Sequence, residues 1–193
     1  MNITRSPHRL CALILGIIVL SGVAGCGSDS SDAAGKTDKK RSATALTAGL
    51  KAQTAGKLGE AEKHYREALK HDGKNKIALY DLALIDAARL NFGLAAEKYQ
   101  LVLAIDPHYG PALYNLAILE KDKGNDRGAI SLYRRAIAAS PKDAASHLNL
   151  GLLLRAAGDK AEGDVEVTRA IRLDPQLRDP AATPKKAKSP ASP

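Results

Sequence analysis

The chain repeats itself every 34 residues, and this period limits its fold more than any other feature. Pro107, Pro141 and Pro175 stand one step apart, each behind an acidic or small polar residue, and Asp72-Gly73 holds the same place one period earlier. Further columns keep phase: Tyr65, Tyr99, Tyr133 and Val167; Ala61, Ala95, Ala129 and Gly163; Gly49, Ala83, Ala117 and Gly151. Ala68, Val102, Ala136 and Ala170 make another, beside Leu69, Leu103, Ile137 and Ile171. So many columns in phase over four copies are not chance.

Each copy reads as two helices. In the third, Ala112 to Glu120 carries apolar residues at helical spacing and Gly124-Asn125 stops it. Ala129 to Ile137 is a second amphipathic run, closed by Ser140-Pro141. Small residues at Ala117 and Ala129 let the two helices approach, Tyr133 fills the space beyond, and the proline cannot continue the helix.

With Ala117, Gly124, Ala129, Tyr133, Ala136 and Pro141 in these places, the pattern resembles the tetratricopeptide repeat (TPR), a helix-turn-helix unit of the same length. The resemblance implies an all-α fold, a right-handed α-solenoid of four repeats at 42–75, 76–109, 110–143 and 144–177. Departures are local. Ala45, Leu79, Leu113 and His147 stand where an early aromatic is common, Leu90 replaces a turn glycine, and Gly163 and Val167 replace alanine and tyrosine in the last copy. Glycine in a helix costs about 1 kcal/mol, so the last copy reads as the weakest. No capping helix follows it, and Val165 and Ile171 are expected to be partly exposed there, available to a partner or to self-association with a second copy.

Outside the repeats, residues 1–25 have the order of an export signal: Arg5 and Arg9, an apolar run from Leu10 to Leu20, then small residues. Leu10 to Gly25 is 16 residues. A membrane span wants about 20. Val23-Ala24-Gly25-Cys26 resembles the bacterial lipobox, which implies a diacylglycerol on the Cys26 sulfur and cleavage just before it. The expected location is the outer face of the bacterial cell membrane, or the outer membrane in a Gram-negative cell. Residues 26–41 are small, polar and charged and are expected to form a flexible tether, and 178–193 a disordered tail rich in Pro, Lys and Ala.

Little in the chain suggests chemistry. HExxH, GxSxG and phosphate-loop patterns are missing from the sequence, and His64, His71, His108 and His147 do not show the four-residue spacing that aims two imidazoles at one metal. Asp86 and Glu120, one period apart, read as edge carboxylates. The expectation is no enzyme, no cofactor and no metal.

The resemblance instead implies a concave surface lined by first helices that binds a peptide or protein segment. Its ladder here would be Leu46, Tyr80, Tyr114 and Leu148, then Leu50, Leu84, Ile118 and Leu152, flanked by Asp81, Asn115 and Asn149. Asparagine offers a donor and an acceptor to an extended backbone; the alternative is that these amides satisfy neighbouring helices. Leu46, Leu50 and Asp81 do not fit a lysine clamp for a C-terminal carboxylate. A different reading is a cell-envelope scaffold, pilotin-like or secretion-related, that spaces components without reading a linear segment. Net charge is +8, but nineteen basic and seventeen acidic residues leave the repeats at only +2, so nucleic acid is not an expected partner.

Overall fold

The computed structural model describes residues 29–181, and among these the secondary structure is eight α-helices without strands. They are α1 (Asp29–Thr54), α2 (Leu58–His71), α3 (Lys76–Ala88), α4 (Phe92–Ile105), α5 (Gly110–Asp122), α6 (Asp126–Ala139), α7 (Ala144–Ala156) and α8 (Lys160–Leu173). From α3 onward, each pair begins 34 residues after the last. Every helix packs on its neighbours in sequence, which makes a one-dimensional stack, a helical-repeat solenoid.

The repeated columns are the core. Ala61, Ala95 and Ala129 are fully buried at the contact within each hairpin, beside the buried rings of Tyr65, Tyr99 and Tyr133. Three clusters run along the stack. The middle one joins α3, α4 and α5 through Leu79, Tyr99, Val102 and Leu116.

Local chemistry sets the ends of the helices. The hairpin turns place Gly56, Leu90, Gly124 and Gly158 at positive φ, and the next amide in each closes back on the first helix, as Asn91 N–H does on Asp86 O at 2.9 Å. Between hairpins, Asp72, Asp106 and Asp174 accept the N–H two residues on, at 2.9 to 3.1 Å, and turn the chain. Asn75, Asp143 and Asp159 then cap α3, α7 and α8.

Two boundaries differ from the sequence reading. Composition places residues 29–41 in the tether, yet α1 begins at Asp29. A helix already nucleated by the first repeat extends at little cost through residues such as Ala33, Ala34, Lys39 and Lys40, and an ion pair of Arg41 with Asp38 at 3.7 Å adds to it. Asp38 also lies 3.6 Å from His71 on α2. At the other end, the first residues assigned to the tail are held: Asp179 makes a bidentate ion pair with Arg155 of α7 at 2.7 and 3.0 Å. That pair, rather than a further helix, ties the chain over the last repeat. Residues 1–25, read from the sequence as an export signal, and Cys26 lie outside the described residues, as do residues 182–193.

The last repeat is also not simply weaker. Gly151 on α7 and Gly163 on α8 face each other, and a Cβ on Gly163 would stand 2.7 Å from Gly151 O. The two glycines let α7 and α8 touch backbone to backbone, so Gly163 is a packing residue whose lost helix propensity is offset by contact.

Candidate functional site

The first helices carry the expected groove residues at successive helical turns, and most remain within reach of solvent. Tyr80 and Leu84 on α3, Tyr114, Asn115 and Ile118 on α5, and Leu148, Asn149 and Leu152 on α7 are half-buried. On α1, Leu46 is half-buried and Leu50 is exposed. Asp81 is the exception, at 6% exposure.

The asparagines are tied to the tyrosine ladder. Asn115 Nδ2 donates to Tyr80 Oη at 3.0 Å, and one period later Asn149 Nδ2 donates to Tyr114 Oη at 3.0 Å. Each bond joins adjacent first helices. Each pair keeps the tyrosine O–H as a donor and the amide carbonyl as an acceptor. Burial pushes the phenol pKa of Tyr80 and Tyr114 upward, so both hydroxyls stay protonated and able to donate. One N–H group of each amide is therefore used between neighbouring first helices, as the second sequence reading has it, and the carbonyl makes no hydrogen bond to the protein.

The ladder is missing its first rung. Leu46 stands where Tyr80 and Tyr114 stand, and it has no hydroxyl for Asp81 to meet. Asp81 instead turns inward toward Tyr65, whose hydroxyl donates to Gln53, and its Oδ2 makes no hydrogen bond to the protein. Burial raises the Asp81 pKa above the usual carboxylate range, and the Tyr65 hydroxyl opposes this only partly. Asp81 is thus a buried member of the column and is not exposed to a groove ligand.

Tyr80, Leu84, Tyr114 and Asn115 line one open cleft of about 520 Å³, whose far wall is Pro111, Ser140 and Asp143. Tyr109 stacks edge-on against Tyr80 with ring centroids 5.3 Å apart, and the Lys76 ammonium sits 5.3 Å from the centre of the Tyr109 ring. Lys76 is itself held by Asp106 at 2.5 Å. The sequence reading missed Tyr109. It stands in the loop before α5, off every repeated column, and only its aromatic character marks it.

The other polar residues singled out have structural partners. Asp86 pairs with Lys98 at 2.6 Å, and Glu120 accepts from Asn125 at 2.7 Å and Lys123 at 3.1 Å. His147 is buried, with Nδ1 2.5 Å from Glu166 Oε2 and Nε2 3.1 Å from Pro141 O. Among the described residues no group of three or more His, Cys, Asp or Glu could hold a metal ion, and no helix is long and apolar enough to cross a membrane.

The tetratricopeptide repeat family profile matches residues 46–109 and 114–177, which is most of the chain. The chain belongs to the tetratricopeptide repeat family. No curated protein sequence matches it. Among solved structures, the TPR array superposes on MamA from Desulfovibrio magneticus RS-1 with a TM-score of 0.63 at 20% identity, covering 71% of this chain and 77% of that one. PilF of Pseudomonas aeruginosa gives 0.63 at 21% identity, with 73% and 64% covered. A thermophilic TPR protein of Thermus thermophilus gives 0.56 at 23% identity, with 69% and 75% covered. At these identities the likeness is one of fold. TPR arrays are protein-protein interaction modules, typically non-catalytic, and the fold makes this chain an interaction scaffold.

Proposed function

We propose that the protein is an exported, lipid-anchored adaptor that holds an extended peptide or protein segment along its first helices. The observation that carries this reading is the Tyr–Asn rung, repeated one period apart, since each rung offers one O–H donor and one C=O acceptor. An extended segment presents the complementary carbonyl and N–H at regular spacing. Apolar side chains of Leu84, Ile118, Leu148 and Leu152 between the rungs favour aliphatic residues in the segment over charged ones. The anchor is supported by the order Val23-Ala24-Gly25-Cys26, with the thiol as acyl acceptor.

Two separate experiments test the parts. A photo-crosslinker placed at Ile118 or Leu152 in cells is expected to capture one dominant polypeptide, whereas one at Lys74, in a loop, captures none. Capture only from the loop position moves the site off the first helices. For the anchor, metabolic labelling with an alkynyl fatty acid is expected to mark the wild type and not Cys26→Ser; equal labelling of both removes Cys26 as the acceptor. The scaffold reading, in which components are spaced and no segment is read, would show instead as a stoichiometric complex insensitive to groove substitutions.

A further inference from the structure

The outer face of α4 breaks the charge pattern of the array. Leu94 stands where the other second helices have Glu60, Gly128 and Glu162. Leu101 stands where they have Glu67, Arg135 and Arg169. With Leu90 in the preceding turn and Ile105 at the end of the helix, these residues form one stripe at helical spacing, 73% exposed at Leu90, 48% at Leu94 and 53% at Leu101. Beside it lies α6, whose Leu132 packs on the α4 core and whose Arg135 donates to Pro107 O at 3.2 Å just past α4. That helix carries Arg127, Arg134 and Arg135 against the single acid Asp126; Arg134 is held by Glu162 of α8 at 2.9 and 3.0 Å, which leaves Arg127 and Arg135 as the basic groups without a carboxylate partner among the described residues.

We propose that the α4 stripe and the basic α6 beside it form a docking face for an anionic lipid surface. Apolar residues enter the headgroup boundary while arginines meet the lipid phosphates, the pairing that interfacial helices use.

A second copy fits the face less well. Antiparallel pairing of two α4 helices that sets Leu94 against Leu101 also brings α6 toward a second basic α6.

The test uses residues 27–193 without lipid, which retain every residue of the three core clusters, so that the anchor plays no part. In flotation with phosphatidylcholine vesicles containing about a third phosphatidylglycerol, the wild type is expected to float, and Leu94→Glu/Leu101→Glu to lose at least about tenfold in partition. Glu97→Lys is expected to gain several-fold. Circular dichroism checks that both variants remain helical. Equal partition of wild type and double variant overturns the proposal. So does a sedimentation dimer abolished by the double variant, which would assign the face to a second copy.

Discussion

Helices α3 and α4 form the same hairpin as α7 and α8, two periods apart, and both hairpins depart from the repeat pattern with opposite consequences. In the later hairpin the departure points inward. Gly151 and Gly163 remove two methyl groups, and the helices close until backbone touches backbone. In the earlier one it points outward: Leu90 takes φ 63 in a turn built for glycine, and Leu94 and Leu101 occupy surface positions that carry charge or glycine elsewhere. A break in a repeat can thus be absorbed by packing or left on the surface, and only the surrounding atoms tell which.

The largest effect is expected inside. Gly163→Ala should destabilise the array by about 1–3 kcal/mol, because besides the movable Arg155 Cγ the new methyl meets two backbone atoms of α7, Gly151 O at 2.7 Å and Arg155 N at 3.0 Å, which cannot swing away. Thermal unfolding reads this directly. A neutral or stabilising outcome would mean that α7 and α8 part easily, and would return Gly163 to the role of a mere weak helix former.

Next in size is Asp81, where the broken rung can be probed by pH. Its folded pKa lies above its unfolded value, so the folded chain binds that proton more tightly. The resulting stabilisation is complete below the usual carboxylate pKa and is lost as pH rises through the raised folded value. Asp81→Asn should therefore be more stable than wild type at neutral pH, by about 1 kcal/mol, and the difference should shrink in acid. A pH-independent difference would show that the carboxyl is not strained by burial.

The smallest effect belongs to the outward break. Leu90→Gly should stabilise by about 0.5–1 kcal/mol, as relief of the left-handed conformation outweighs the entropy of glycine. The same substitution in reverse, Gly124→Leu, should destabilise by a similar amount. If Leu90→Gly destabilises, the Leu90 side chain is making contacts that its exposure does not suggest.

The helices, their pairing and the core alanines and tyrosines were legible in the sequence because each repeat solves the same packing problem at the same position. Features set by how neighbouring elements meet were not. The extension of α1 through 29–41 depends on propagation from a formed helix, which composition alone does not reveal. The Asn115–Tyr80 bond spans adjacent repeats one residue out of the period, an offset set by how the hairpins stack. Asp81 shares a column with Asn115 and Asn149, yet its environment is decided by Leu46 one repeat earlier. The glycine contact is a distance between backbones, and a string of letters shows only that two side chains are small.

The central claim is that the Tyr–Asn rungs hold the backbone of an extended segment. Its most direct test is calorimetric titration of a peptide selected from a random library on the wild-type array, repeated on Asn115→Ala/Asn149→Ala. Loss of two acceptor carbonyls should weaken binding by roughly tenfold or more, at about 1 kcal/mol per hydrogen bond, with the helical signal unchanged. Undiminished affinity in the double variant would contradict the account.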